Sequence, residues 1–283
     1  MPNLPDDILL LDGAETPDQR HASVGGGTVV AYTCRAPDKD TENEDTVAVI
    51  PYGPEAAVLI VADGAGGLPA GKRASLVAAT TLIESLQVAM AETMLLRTAI
   101  LNGIEAANAA VQDLGNGSAT TFTVVTIEGL TVRAYQIGDS EAIVVGQRGR
   151  ITLQTTAHSP TGFAVEAGFL DQKAALHHAE RHLVSNFLGT ADMRIDIGAE
   201  VKLKPRDTIL LASDGLMDNV HVDEIVERVR KGPLDAATER VITLANRRMT
   251  DASSSQPSKP DDLSLILFRK PYRLPARRPA QTQ

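Results

Sequence analysis

Four short apolar segments of the chain each end or begin at an aspartate. These aspartates are Asp63 after VLIVA, Asp139 after AYQIG, Asp214 after ILLAS, and Asp261 just before LSLILF. A short apolar run that meets a turn residue is typical of a buried strand, and side chains at strand ends are held on a rigid sheet. Several carboxylates that converge there are stable only when cations neutralise them.

The chemistry of the donor atoms indicates which cations these are. Carboxylate oxygens suit Mg²⁺ or Mn²⁺, and the sequence has no Cys/His set with zinc-finger spacing. Two such ions about 3.5–4 Å apart can activate a water and clamp a phosphoryl oxygen. A single Asp-Gly pair is more often an ordinary turn, so the prediction of phosphate ester hydrolysis depends on the four aspartates together.

The remaining patterns predict an α+β fold. Residues 70–90 and 93–113 carry apolar residues at helical spacing. Residues 118–154 are rich in β-branched residues and are interrupted at turn signals, which predicts an antiparallel meander. Residues 222–250 resemble two helices. Because helices stand between groups of strands without regular βαβ alternation, antiparallel sheets are favoured.

We expect one folded domain over residues 28–269, with a first strand around 28–33. Residues 1–27 contain three prolines, many acids and a Gly triplet, and are predicted to be an irregular lead-in. Residues 270–283 carry four basic residues and no acid, and are predicted to be a disordered basic tail.

Composition limits the possible partners and location. The net charge is −9, from 27 Lys+Arg against 36 Asp+Glu, which disfavours nucleic acid as a partner. A single cysteine, Cys34, cannot form an internal disulfide. The N-terminus is acidic, and no stretch is expected to reach the roughly 20 apolar residues of a membrane span. We therefore expect a cytoplasmic protein with no membrane partner.

One segment carries a specific resemblance. DGAGGLPAGKRAS, at 63–75, resembles the DGxGG motif of the metal-dependent PP2C (PPM) protein phosphatases. Five other segments resemble the remaining motifs of that family and follow in the family's order. They are Asn43-Glu44-Asp45, SATT at 118–121, Ile137-Gly138-Asp139-Ser140, Ser213-Asp214-Gly215-Leu216 and Asp261-Asp262-Leu263-Ser264. The match spans residues 28–269. Five further motifs in order, beside DGxGG, are a far more specific signal than DGxGG alone.

The resemblance implies both a fold and an activity. The fold would be a four-layer α-β-β-α sandwich, two antiparallel sheets flanked by helices, with metals at one end of the sheets. The activity would be that of a bacterial-type serine/threonine protein phosphatase, which hydrolyses phosphoserine or phosphothreonine with a metal-activated water at a binuclear Mn²⁺ or Mg²⁺ centre. Its partners would be phosphorylated proteins, and it would oppose a serine/threonine kinase.

The resemblance also implies roles for individual residues. Asp63 would bridge both ions, and the backbone carbonyl of Gly64 would ligate one of them. Asp214 and Asp261 would hold the first ion, so that Asp63, Asp214 and Asp261 form the catalytic set. The second ion would take its remaining protein ligand from Asp45, which we favour over its neighbour.

Two assignments remain open. Glu44 is the alternative to Asp45 as a ligand of the second ion. Asp139 matches a position that, in bacterial relatives, helps to bind a weaker third ion together with the equivalent of Asp214.

Three positions depart from the family pattern. Asp40 stands where members usually have a phosphate-binding arginine, so Lys39, Arg35 or Arg73 would have to supply the positive charge, or affinity for simple phosphates is low. Ala65 stands where many eukaryotic members have a histidine, and Asp262 stands where many relatives have asparagine. The Asp40 departure motivates an alternative function: a catalytically weak, phosphatase-like regulatory module that binds a partner protein.

Two other motifs are incomplete. Gly66, Gly71 and Lys72 nearly form a Walker A loop, but Arg73 stands where Ser or Thr must coordinate Mg²⁺. The histidines at 177, 178 and 182 suggest zinc, because 178 and 182 are one helical turn apart, yet the glutamate between those two is one place later than in HExxH. Residues 157–190, here called the flap, are expected to shape substrate choice.

Overall fold

The computed structural model describes residues 5–65, 70–115, 117–251 and 255–271. The strands in these ranges are β1 Leu9–Asp12, β2 Asp18–Val24, β3 Gly27–Cys34, β4 Asp45–Pro51, β5 Ala56–Ala65, β6 Ala119–Thr120, β7 Phe122–Glu128, β8 Thr131–Ile137, β9 Glu141–Val145, β10 Ile151–Gln154, β11 Asp196–Ile197, β12 Val201–Lys202, β13 Thr208–Ala212 and β14 Leu263–Arg269. The helices are α1 Ala70–Ala91, α2 Leu96–Gln112, α3 Pro160–Glu166, α4 Gln172–Ala175, α5 Asp214–Met217, α6 Val222–Val229 and α7 Leu234–Thr250.

The strands form two antiparallel sheets. The first has the order β1-β4-β5-β7-β8-β11, with β6 and β12 attached to β5 and β8. The second has the order β10-β9-β13-β14-β3-β2. Each sheet contains strands from distant parts of the chain, so the strand ends that carry aspartates come together only in the folded protein.

Three hydrophobic layers define a four-layer sandwich. In β4, Ala48 and Ile50 pack with α1 and α2, whereas Val47 and Val49 pack between the two sheets. In β14, Leu265 and Leu267 pack with α5–α7, whereas alternate residues again lie between the sheets. Strands buried on both faces explain why their sequences read as continuous apolar runs. The predicted α-β-β-α architecture is confirmed.

Helix α1 corrects one expectation drawn from composition. It is long and apolar enough to cross a membrane, by length and composition alone, although no such stretch was expected. Leu82, Ile83 and Leu86 are fully buried against α2 and the first sheet. The packing of α1 against α2 and the first sheet therefore accounts for the apolar residues on its buried face, whereas Val88 remains exposed.

The prediction that residues 1–27 are irregular is wrong for the described part of that segment. Strand β1 pairs with β4, and β2 forms a hairpin with β3. Gly25 and Gly26 have φ of 53° and 70°, and two successive residues with positive φ form the tight turn that suits a hairpin. The Gly triplet thus marks a hairpin. The predicted disordered tail lies outside the described residues except for 270 and 271.

The predicted single meander over 118–154 is also wrong. Its strands are present, but β7 and β8 pair in the first sheet, whereas β9 and β10 pair in the second. The chain passes from one sheet to the other at Gly138, whose φ is 95°. This crossing places Asp139 between the two sheets.

Candidate active site

The first sheet positions two of the predicted metal ligands. Asp45 begins β4 and lies directly opposite Asp63 in β5. The SATT motif fixes the backbone at Asp63: Thr121 N–H and Thr120 Oγ1 both donate to the Asp63 carbonyl at 2.8 Å, and Asp63 N–H donates to Thr121 Oγ1 at 3.1 Å. The motif therefore holds the end of β5 in place.

The second sheet is joined to this point by Ser213. Its hydroxyl donates to Asp45 Oδ2 at 3.0 Å and accepts from the Ser264 N–H at 3.0 Å. Ser213 precedes Asp214, and Ser264 lies close to Asp261 in sequence. A single hydroxyl thus orients an aspartate of one sheet against the turn that carries the aspartates of the other.

Close backbone approach explains several motif glycines. A Cβ on Gly64 would overlap the backbone of Gly71, and a Cβ on Gly71 would overlap the side chain of Glu44. Ser75, in the same motif, donates to the Glu44 carbonyl at 2.6 Å. These contacts pack the start of α1 against the end of β5, next to Asp63.

Adding a side chain at Gly215 is expected to destabilise the protein strongly. A Cβ there would overlap the carbonyl oxygen of Asp262, which is backbone and cannot move aside alone. We expect Gly215→Ala to destabilise the protein by about 3 kcal/mol, measured by urea unfolding. Gly146→Ala is the control, since its Cβ would meet Asp207 Oδ1 at an ordinary 3.4 Å. Equal effects of the two substitutions would contradict this prediction.

Hydrogen bonds hold the residues on both sides of Asp139. Its neighbour Ser140 shares a hydrogen bond of 2.8 Å with Thr121, which links the GDS turn to Asp63. On the other side, Gly138 N–H donates to His158 Nδ1 at 3.2 Å, and Asn186 Nδ2 lies 2.8 Å from the same atom. His158 and Asn186 are both buried flap residues, so the flap is anchored to the turn that carries Asp139.

The electrostatics show that these carboxylates converge. Burial raises the pKa of Asp63 well above its usual range, and the charges of Asp45, Asp214, Asp261 and Asp139 raise it further. Burial followed by repulsion from Asp214 raises the pKa of Asp261 to about 7. Five predicted ligands therefore repel one another in one desolvated site, which cations would stabilise.

The residues present fit a metal centre of hard cations. Asp45 Oδ1 and Asp214 Oδ1 are buried oxygens without a hydrogen-bond partner, which is costly unless a cation fills the place. In the described part of the chain no three His, Cys, Asp or Glu side chains form a ready ligand cage, and this includes the histidines considered for zinc. Instead, the ammonium group of Lys259 lies among the aspartates.

Glu44 and Asp45 face different surroundings. Asp45 is fully buried, and burial together with repulsion from Asp262 raises its pKa well above the usual range. Glu44 Oε2 instead pairs with Lys39 Nζ at 3.1 Å. This geometry favours Asp45 over Glu44 as the ligand.

Asp262 organises the loop that carries Asp40. Its Oδ1 accepts from Ala36 N–H at 2.8 Å, and its Oδ2 accepts from Glu44 N–H at 2.8 Å and from Lys39 Nζ at 2.6 Å. Three donors suit a carboxylate, which has acceptors only. Lys39 is thus committed to two carboxylates, and Asp40 is exposed.

Sequence reasoning missed two members of the site, Asp218 and Lys259. Asp218 follows Asp214 by one helical turn, and its N–H donates to the Asp214 carbonyl at 2.7 Å. The (i, i+4) spacing was a usable signal, because it places both carboxylates on one helix face. Lys259 stands two residues before Asp261, and that spacing alone indicates little.

A cavity of about 480 Å³ opens beside the aspartates. Flap residues 157–166 and 172–181 contribute to one side, and residues 214–223 to the other. Asp139, Asp214 and Asp218 also line it. A substrate bound in this cavity would contact both the flap and the carboxylates.

Comparison with known proteins agrees with this geometry. Residues 36–251 match the family model described as Protein phosphatase 2C. The chain belongs to the protein phosphatase 2C family. Membership confirms the resemblance and the predicted enzyme class, a metal-dependent serine/threonine protein phosphatase. The antiparallel pairing of β5 with β4 and β7 also disagrees with a P-loop fold.

Two similar proteins come from streptococci. This phosphatase is 30% identical over 221 residues to protein phosphatase PhpP of Streptococcus pneumoniae, covering 74% of this chain and 87% of that protein. It is similar to the solved serine/threonine phosphatase of S. agalactiae, with 27% identity, a TM-score of 0.72, and coverage of 85% and 98%. The catalytic domain of PstP, solved with two manganese ions, shares the fold at 24% identity, with a TM-score of 0.63 and coverage of 90% and 99%.

Proposed function

We propose that this phosphatase hydrolyses phosphoserine and phosphothreonine in proteins with a pair of Mn²⁺ or Mg²⁺ ions. The groups that would hold the ions are the carboxylates of Asp45, Asp63, Asp214 and Asp261 and the carbonyl of Gly64. The observation that carries this proposal is the convergence of buried aspartates from both sheets, with the unpaired oxygens of Asp45 and Asp214 among them. Glu44 is not included, because its carboxylate faces Lys39.

When bound, the ions supply an activated water and neutralise charge on the transferring phosphoryl group. The contribution of the protein is to hold the metal-binding carboxylates in place. Asp63 is fixed through Thr120 and Thr121, and Asp45 is oriented by Ser213. Such rigid support keeps the carboxylates in position before substrate arrives.

The partners and the location follow from the same proposal. The substrate is a phosphorylated protein whose phosphate enters beside Asp139 and Asp214, with the flap against the rest of the peptide. Such an enzyme would oppose a serine/threonine kinase. We propose that it acts in the cytoplasm.

The test is hydrolysis of a phosphothreonine peptide and of a chromogenic phosphate ester in Mn²⁺, Mg²⁺ or EDTA. We expect turnover with either metal and a loss on the order of 10³-fold in EDTA, since several kcal/mol of charge stabilisation is removed. Circular dichroism in EDTA checks that the fold persists. Turnover that EDTA does not affect, or a covalent phosphoenzyme, would contradict the proposal.

The regulatory-module alternative gives a different result in the same assay. It predicts a folded protein that binds Mn²⁺ yet turns over neither substrate. It also predicts that affinity for a partner survives Asp63→Asn. The retained carboxylate cluster favours the enzyme, because a module that only binds a partner does not need mutually repelling buried aspartates.

A further inference from the structure

Lys259 places a positive charge inside the carboxylate cluster. Its ammonium group pairs with Asp214 Oδ2, lies 3.0 Å from Asp218 Oδ2 and lies 3.2 Å from Asp261 Oδ2. The lysine side chain is 21% exposed. One lysine therefore forms ion pairs with three carboxylates in a largely buried position.

The position of Lys259 is built into the fold. Its backbone N–H donates to Asn219 Oδ1 at 2.7 Å, and its carbonyl accepts from Asn219 Nδ2 at 2.8 Å. Asn219 is fully buried and also donates to the Gly215 carbonyl at 2.9 Å. Because a buried amide clamps both sides of the residue, Lys259 starts from a fixed point beside Asp214.

A second contact fixes the preceding residue. Arg181 of the flap donates through Nη2 to the carbonyl of Ser258 at 2.9 Å. The segment that carries Lys259 is thus held by the flap on one side and by Asn219 on the other. A lysine on a freely moving loop would have neither contact.

The location of the charge identifies its role. Asp218 is not among the proposed ligands of the two catalytic ions, yet Lys259 reaches it. Asp139 and Asp214, the pair implied for a third ion, are close enough to repel each other, and the charge of Lys259 acts on Asp139 as well. The ammonium group touches Asp261, a proposed ligand of the first ion, and also Asp218, which neither catalytic ion is proposed to reach. On the Asp218 side it provides the positive charge that a third cation would supply.

We propose that the ammonium group of Lys259 is the third cation of this site. The protein would then bind two divalent metal ions and use the lysine in place of a third metal ion. This inference depends on the proposed function, since it assumes that the two-ion site exists. It makes Lys259 a positioning residue for Asp214, Asp218 and Asp139.

The experiment counts bound Mn²⁺ in the full chain by titration, with free Mn²⁺ followed by its electron paramagnetic resonance signal up to millimolar concentration. We expect about two ions per chain for the wild type and about three for Lys259→Met, because that variant leaves the acids around Asp218 without a counter-charge. Lys259→Arg keeps the charge and should remain at about two. Lys231→Met, on the exposed turn before α7, is the matched surface control.

The outcomes separate this inference from the proposed function. Three ions in the wild type would overturn it whether or not the variants fold. Two ions in folded Lys259→Met, with unchanged or tighter affinity, would also overturn it, and tighter affinity would identify Lys259 as a competitor of a catalytic ion. Binding of no Mn²⁺ by the wild type would overturn the proposed function, and this inference with it.

Discussion

Replacing Asp63 by asparagine is expected to lower kcat/KM for a phosphothreonine peptide by on the order of 10³-fold in saturating Mn²⁺. Asp63 is the carboxylate on which the charges of Asp45, Asp214 and Asp261 all act. Asparagine keeps the size of the side chain but removes the negative charge that the proposed ion pair shares. The hydrogen bonds with Thr120 and Thr121 involve the backbone carbonyl and N–H of residue 63 and not its side chain. The substitution should therefore leave the fold intact.

The control for this variant is Asp235→Asn. Asp235 lies in the first turn of α7 with 59% of its side chain exposed, so the same chemical change should leave kcat/KM near the wild-type value. Circular dichroism and Tm show whether both proteins are folded. If folded Asp63→Asn kept activity within about tenfold of the wild type, Asp63 would not be the central ligand.

The features that sequence predicted well are local ones. The apolar run before Asp63 and the helical spacing over 70–90 each indicate their element without reference to the rest of the chain. The hairpin of β2 and β3 was missed because its signal, two glycines with positive φ, was interpreted as irregular chain. Strand β1 was missed because its pairing partner, β4, is more than thirty residues away.

The candidate site likewise has residues with a local sequence signal and residues whose position depends on distant parts of the chain. Strand-end aspartates carry a signal in their immediate neighbours, and the structure brings Asp63, Asp139 and Asp214 together as expected. The position of Lys259 depends on Asn219, forty residues earlier. A lysine whose role is set by such a distant clamp has no local signature, and only the fold shows where its charge lies.

In EDTA, we expect the protein to lose stability as the pH rises from about 5 to about 8. Burial and mutual repulsion raise the pKa of Asp45, Asp63 and Asp139 well above the usual range, and raise that of Asp218 to about 6 and that of Asp261 to about 7. The same side chains ionise near pH 4 in the unfolded chain. Acids with a raised folded pKa contribute stability at low pH that is lost as the pH passes through that pKa.

The size of this effect is large for single groups. The side chain of Asp218 is only 13% exposed, and its raised pKa corresponds to on the order of 3 kcal/mol. Burial lowers the pKa of His158 and His221, and these two act in the opposite direction, because a depressed histidine pKa makes stability rise with pH. The raised acids, which include Glu141 with a pKa that burial raises to about 7 as well as the five aspartates, outnumber the two histidines and leave a net loss of stability as the pH rises.

Thermal unfolding in EDTA and in Mn²⁺ at several pH values measures this dependence. Mn²⁺ should raise Tm more at about pH 8 than at about pH 5, because at high pH the ions neutralise carboxylates that at low pH hold protons. Asp218→Asn should flatten the pH dependence in EDTA, whereas Asp235→Asn should leave it unchanged. A metal-free protein whose Tm stayed constant or rose over this range would show that the aspartates are not confined together without cations, and the electrostatic basis of the proposed centre would be lost.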